Sequence, residues 1–87
     1  MKHVVVTTKP DCIWCTKVKA LLKMHGIAFE ERAITTREDQ IAFLQKVGKT
    51  TFPQVYSVSD DAPNEPLVLF GGFTETSAII ASGKSLV

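Results

Sequence analysis

Residues 3–15 read HVVVTTKPDCIWC, and they carry the strongest structural pattern in the chain. The run His3 to Thr8 is short and β-branched, which predicts a buried strand. Lys9 to Asp11 contains a proline and is expected to form a turn. A helix is predicted over residues 12–25, and Gly26 is placed to end it. The residues at helical spacing along it are Cys15, Val18, Leu21, Leu22 and His25. Two cysteines therefore lie in the first turn of a helix that directly follows a strand.

A second strand and a second helix are predicted further along the chain. The strand runs from Ile27 to Ile34, and the helix runs from Thr35 to Val47 and ends at Gly48. Thr35 and Glu38 fit a capping box, in which each side chain bonds the backbone N–H of the other residue. Three apolar residues make a narrow stripe on this helix: Ile41, Leu44 and Val47.

The C-terminal part of the chain predicts two strands and a last helix. The strands are Gln54 to Val58 and Leu67 to Phe70, and Ser59 to Pro66 between them is polar enough for a solvated loop. Thr74 is expected to cap a helix that continues to about Ala81. The element order is β-α-β-α-β-β-α, an α/β fold. A right-handed crossover makes the first two strands parallel, whereas the last two form an antiparallel hairpin.

Length and composition limit the classes of function. A chain of 87 residues is expected to form one domain, residues 1–87. The net charge of +1 gives no reason to expect nucleic acid or an anionic membrane as a partner. The apolar runs are only a few residues long, and no export signal opens the chain. We therefore expect a cytoplasmic protein with no membrane association.

The spacing of Cys12 and Cys15 suits redox chemistry. Helical residues three apart have Cα atoms about 5–6 Å from each other, and a disulfide needs about 4.4–6.8 Å. Cys12 lies where free backbone N–H groups favour a thiolate, and Lys9 adds a positive charge nearby. Cys15 lies on the apolar face of the helix and should be buried. This asymmetry predicts that Cys12 attacks and that Cys15 resolves.

Two other readings of the cysteine pair remain open, half of a zinc site and an inert structural pair. Zinc normally takes four ligands, and the other soft ligands are the histidines and methionines. His25 would lie about 20 Å from Cys12, at the far end of the same helix. The residues therefore favour redox chemistry, and no metal site is expected.

Two further features lie outside the cysteine pair. Thr51-Phe52-Pro53 precedes a predicted strand, where a proline loses no ladder bond. The functional alternative is that the peptide bond between Phe52 and Pro53 is cis, which would expose the Phe52 backbone to an extended peptide. Gly71-Gly72 precedes the last helix. The pair is either an ordinary turn or a place where backbone N–H groups hold a carboxylate.

Taken together, these motifs resemble the glutaredoxins. The resemblance rests on residues 8–15 (TKPDCIWC), 51–55 (TFPQV) and 71–72 (GG), in that order, and covers nearly the whole chain. It implies the thioredoxin fold, a four-stranded mixed sheet flanked by three helices. It also implies that Pro53 is cis.

The resemblance further implies a glutathione site, with glutathione as co-substrate. Phe52 would pair its backbone with the cysteinyl part of glutathione, and Lys49 would meet the glycine carboxylate. Gly72 and its neighbours would receive the γ-glutamyl end. The implied glutathione-binding residues are Lys9, Trp14, Lys49, Thr51, Phe52, Pro53, Gly72, Phe73 and Thr74.

The sequence departs from the glutaredoxin pattern at four positions. Ile13 replaces the usual proline after the first cysteine, and Trp14 replaces a common tyrosine. Thr50 stands where a basic residue is frequent. Thr74 stands where an aspartate commonly binds the glutathione amine, and Glu75 follows it. The last two substitutions weaken the charge match to glutathione.

We therefore expect a monomeric, glutathione-dependent thiol–disulfide oxidoreductase with a Cys12/Cys15 dithiol. Its partners would be disulfide-containing or glutathionylated proteins, with ribonucleotide reductase as one candidate. One alternative is a thioredoxin-like reductase that a reductase protein recharges. The other is a carrier of an iron–sulfur cluster with glutathione as co-ligand, which Ile13 keeps open because a less constrained loop could admit a cluster.

Overall fold

A mixed sheet of four strands forms the centre of the computed structural model, which describes residues 1–87. The strands lie in the order β2-β1-β3-β4, and β1 is parallel to β2 and antiparallel to β3. β3 and β4 are antiparallel, so the predicted element order and strand directions are confirmed. No helix has the length and apolar character needed to cross a membrane. The elements are β1 Lys2–Thr8, α1 Ile13–Met24, β2 Phe29–Ala33, α2 Arg37–Val47, β3 Gln54–Ser59, β4 Ala62–Gly71 and α3 Phe73–Ala81.

β1 is a central, deeply buried strand because both faces of the sheet are covered around it. Val4 and Val6 pack against Val18 and Leu22 of α1, on the face that α3 also covers. Val5 faces the opposite side, where α2 lies. The alternation of side chains along a strand thus sends consecutive valines into two separate cores. The strand that leads into the cysteine pair is therefore rigidly held.

Helix α1 follows the predicted spacing closely. It buries Cys15, Val18 and Leu22, and Gly26 ends it with a φ of 67°. His25, which the spacing placed on the same line, is exposed and forms the C-cap. The helix therefore presents its apolar face to the sheet and leaves its N-terminal end open beside Cys12.

The predicted capping box of α2 is wrong by one residue. Thr36 is the N-cap, and its hydroxyl accepts the backbone N–H of Asp39 at 3.2 Å. Two successive threonines fit a cap equally well in the sequence. Tertiary pairing decides between them, because the Ile34 N–H bonds the carbonyl of Thr8 in β1 at 2.9 Å and so keeps the chain extended past Thr35. None of the α2 residues is fully buried.

The stretch predicted as a loop between the last two strands is mostly strand. β4 begins at Ala62, directly after a turn at Asp60 and Asp61, instead of at Leu67. Its first residues are solvent-exposed, as predicted, but their backbone is extended. Proline is tolerated there because β4 is an edge strand with only one neighbour to bond. Polarity alone therefore did not separate a loop from an edge strand.

Helix α3 begins one residue before the predicted cap. Gly72 is the N-cap and Phe73 is the first helical residue, so Thr74 lies inside the first turn. The carboxylate of Glu75 accepts the backbone N–H of Gly72 at 2.8 Å. This bond satisfies the start of the helix without a threonine hydroxyl. β2 is also shorter than the predicted strand, since it pairs only from Phe29 to Ala33.

Charged side chains tie the start of β1 to its neighbours. The two ring nitrogens of His3 lie 2.8 Å from an Asp60 carboxylate oxygen and 2.9 Å from one of Glu30. Arg32 donates to the same Glu30 carboxylate at 2.7 Å. Hydrogen bonds from Arg32 and then from His3 lower the pKa of Glu30 to about 2, and the two carboxylates raise the pKa of His3.

Candidate functional site

The cysteine pair lies at the start of α1, after the turn that follows β1. Cys12 is the N-cap of α1, and its Sγ accepts the backbone N–H of Cys15 at 3.2 Å. The two sulfurs are bonded as a disulfide, with Cα atoms 5.2 Å apart. Cys12 is half-buried, whereas Cys15 is only 3% exposed. The geometry thus has the predicted asymmetry, with one sulfur open to solvent and the other behind it.

A groove of about 460 Å³ runs beside Cys12 between Trp14 and α2, and it is called the Trp14 groove below. Four of the residues implied for glutathione line it. Phe52 precedes Pro53 in a cis peptide bond, as the resemblance implied. The lining residues that the sequence had named are Lys9, Trp14, Thr51 and Phe52.

The three sequence motifs lie next to one another, and two of them line this groove. The Lys9 ammonium lies 5.9 Å from the centre of the Phe52 ring. Trp14 packs its half-exposed ring 5.5 Å from that of Phe73. A Cβ on Gly72 would lie 3.5 Å from the carbonyl oxygen of Pro53, so the two backbones approach closely. Residues far apart in the chain therefore form one surface around Cys12.

Several residues implied for glutathione lie outside the groove lining. Lys49 is exposed, one residue before the lining residue Thr50. Gly72 and Phe73 lie behind Pro53 and Trp14, and Thr74 is exposed in the first turn of α3. The Trp14 groove is therefore built from the cysteine motif, the Phe52 segment and α2.

Sequence reasoning missed the contribution of α2. Arg37 and Gln40 line the groove, as do Ile41 and Leu44, which had been read only as an apolar stripe. Ile41 is 45% exposed, so this part of the stripe faces the groove instead of the core. The signal was present, because positions 37, 40, 41 and 44 share one face of a helix. Arg37 supplies the groove with a cation. Thr50, which stands where glutaredoxins frequently have a basic residue, does not.

A second cleft of about 600 Å³ borders the cysteine pair and is lined by Cys15 and Glu31 among others. Lys19 lies 3.0 Å from the Glu31 carboxylate, and the Thr8 hydroxyl donates to the same group at 2.8 Å. Lys19, and then Thr8, lower the pKa of Glu31. The opposite charges of Lys19 and Glu31 in this cleft therefore compensate each other.

The structure bears on the zinc alternative as well. No three side chains from the set of histidine, cysteine, aspartate and glutamate lie together in a way that could hold a metal ion. His25 stands at the opposite end of α1 from Cys12. The Cys12 and Cys15 sulfurs are bonded to each other.

The comparison with known families decides the class of protein. The family model described as Glutaredoxin matches residues 4–61, which include the cysteine pair and the Phe52 segment. The chain belongs to the glutaredoxin family. Glutaredoxin 3 of Escherichia coli K12 is 37% identical over 60 residues, which cover 64% of this chain and 69% of that protein.

Solved glutaredoxin structures share the fold. Glutaredoxin 1 from Francisella tularensis, complexed with cacodylate, superposes with a TM-score of 0.74 at 24% identity, over 94% of this chain and 95% of that one. The buckwheat glutaredoxin in its glutathione complex superposes with a TM-score of 0.71 at 24% identity, over 95% of this chain and 72% of that one. The thioredoxin fold implied by the sequence is thereby confirmed. As a glutaredoxin with an intact cysteine pair, the protein is a thiol–disulfide oxidoreductase.

Proposed function

We propose that this glutaredoxin reduces protein disulfides and glutathione mixed disulfides in the cytoplasm, with glutathione as the electron donor. One observation carries the proposal: a half-exposed Cys12 opens onto a groove that holds two cations, with a buried Cys15 directly behind it. The natural substrates would be disulfide-containing or glutathionylated proteins, and the protein would act as a monomer.

Cys12 is suited to attack because α1 stabilises its thiolate. The backbone N–H of Cys15 donates to Sγ, and the N-terminal end of the helix favours negative charge at this position. A hydrogen bond to a charged group contributes about 1.5–3 kcal/mol. Lys9 adds a positive charge beside the same groove. These groups favour the thiolate, which is the reactive form.

The reaction then proceeds by thiol–disulfide exchange. The Cys12 thiolate attacks a sulfur of the target disulfide, forms a mixed disulfide and releases the other target sulfur as a thiolate. Cys15 loses its proton and attacks Cys12, which closes the Cys12–Cys15 disulfide and frees the reduced target. Two glutathione molecules reopen the disulfide in two exchange steps and leave as oxidised glutathione.

The Trp14 groove supports glutathione as the donor. Glutathione carries two carboxylates and one amine, and Lys9 and Arg37 offer cations to it. The backbone of Thr51 and Phe52 lies beside Cys12, where an extended peptide can pair with it. The buckwheat structural neighbour is itself a glutathione complex. Lys49 and the Gly72–Thr74 segment would contact the two ends of the tripeptide at the margins of the groove.

The decisive experiment compares electron sources and cysteine variants. A glutathione mixed disulfide of a peptide is supplied with glutathione and glutathione reductase, or with thioredoxin reductase alone. We expect turnover only with glutathione. Cys12→Ser should abolish it, whereas Cys15→Ser should keep part of it, because glutathione can replace the resolving thiol but the attacking thiol has no substitute.

The two cysteine variants control for each other because both remove the disulfide. Turnover sustained by thioredoxin reductase and not by glutathione would contradict the proposed donor. An active Cys12→Ser beside an inactive Cys15→Ser would reverse the assigned roles.

A further inference from the structure

A cavity of about 270 Å³ lies between α2 and the sheet and shares no lining residue with the Trp14 groove. It is called the Tyr56 cavity here. Phe43 and Lys46 line it from α2, and Tyr56 lines it from β3. It is therefore a separate site on the same helix that borders the groove.

The charged groups of the Tyr56 cavity are all positive. Arg32 and Lys46 line it, and no carboxylate does. Arg32 uses three of its five N–H donors, two on Glu30 and one on the carbonyl of Pro63 at 2.8 Å. Arg32 also lies within hydrogen-bonding reach of the Tyr56 phenol, so one guanidinium donor remains free. Lys46 donates to the carbonyl of Asn64 at 2.9 Å and lies 4.0 Å from the Glu65 carboxylate, and its ammonium still has a donor left.

A buried pair of hydroxyls adds another donor. The Thr7 hydroxyl and the Tyr56 phenol lie 2.8 Å apart, and their residues are 1% and 3% exposed. Only one of the two can donate to the other, so the second O–H has to find another acceptor. Both residues line the cavity, so an acceptor bound there can take that hydrogen.

Apart from Asn64, the remaining wall is apolar. It consists of Phe43, Ile34 and Pro66. A ligand that matches this lining therefore needs both an oxyanion group and an apolar body. We propose that the Tyr56 cavity binds a small organic anion, with its oxyanion on Arg32 and Lys46 and its apolar body against Phe43.

Occupancy of this cavity would act on the Trp14 groove through α2. No residue of α2 is fully buried, so the helix is held to the sheet only through partly covered side chains. The Phe43 ring stacks on the Phe52 ring with their centres 5.9 Å apart, and it packs at a tilt against the Tyr56 ring with their centres 6.1 Å apart. A ligand under α2 would therefore fix the helix that presents Arg37 and Gln40 to the groove.

Titration with phenyl phosphate, followed by amide and aromatic NMR shifts, tests the proposal. We expect saturating shifts at Thr7, Phe43 and Tyr56, and slower hydrogen exchange along α2 when the probe is bound. Lys46→Gln should weaken binding about tenfold, because it removes one charge-assisted bond. Lys23→Gln, an exposed lysine of α1 outside the cavity, is the matched control and should bind as the wild type does.

Three results would overturn the inference. The first is the absence of saturation at about 10 mM probe, where a site with a Kd of about 1 mM is nearly full. The second is a set of shifts confined to Trp14 and its groove. The third is equal binding by Lys46→Gln and Lys23→Gln. Binding that leaves hydrogen exchange along α2 unchanged would refute the effect on the groove.

Discussion

Arg37 provides the sharpest test of the Trp14 groove. It is the first residue of α2, it lines the groove, and its side chain is exposed to solvent. If it meets a glutathione carboxylate, Arg37→Ala should weaken binding of a glutathione mixed disulfide. The chemistry at sulfur should be unaffected, because Arg37 does not touch the cysteines.

The size of this effect follows from the exposure of Arg37. An exposed ion pair is worth about 0.2–1 kcal/mol. Since 1.4 kcal/mol corresponds to a factor of ten, the upper half of this range raises KM about two- to fivefold. The difference should shrink at high ionic strength, because salt screens exposed charges.

The assay is steady-state turnover of a glutathione mixed disulfide, coupled to glutathione reductase at low and high salt. Arg37→Lys keeps the charge and should retain most of the affinity. Lys84→Ala removes an exposed lysine that does not line the groove, and it controls for net charge. Lys49→Ala tests the residue that the family resemblance implies for the glycine carboxylate.

The reasoning would be refuted by an unchanged KM for Arg37→Ala at low salt. It would also fail if Arg37→Ala lowered kcat with no change in KM. A larger increase in KM for Lys49→Ala than for Arg37→Ala would show that Lys49, and not Arg37, makes the main contact with a glutathione carboxylate.

Two further predictions concern stability. Thr36→Ala should lower the free energy of unfolding by about 1 kcal/mol because it removes the cap of α2. Thr35→Ala should lower it by about 0.5 kcal/mol or less. Equal decreases for the two variants in urea unfolding would argue against Thr36 as the cap. The carboxylates around His3 raise its pKa above 6.5, so its contribution to stability is fully present below pH 6.5 and is lost as the pH rises through the folded-state pKa. His3→Gln should remove that part of the pH dependence, and identical pH profiles of the urea midpoint would contradict it.

Much of the fold was predictable because its signals are local. A β-branched run can bury both faces only in a central strand, and β1 does so. Apolar residues at helical spacing placed the buried face of α1 at Cys15, Val18 and Leu22. A short turn between these elements brought Cys12 to the helix start. Each of these features depends on residues within a few positions of one another.

Edges and boundaries were less predictable. The sequence offered two equivalent caps for α2, and pairing of Ile34 with Thr8 selected Thr36. The polar stretch before Leu67 suited both a loop and an edge strand, and pairing with β3 made it strand. Local composition carries little information where a distant strand supplies the hydrogen bonds.

The sequence by itself determined the strand–turn–helix unit, the cysteine pair at its end and hence the redox chemistry. Those features depend on helical spacing and on the free N–H groups at a helix start. Only the tertiary structure decided which residues surround the pair. It brought Arg37 and Gln40 to the groove, set Gly72 against Pro53, and left a cationic cavity under α2. Such contacts join residues far apart in the chain, and the packing of α2 and α3 on the sheet creates them.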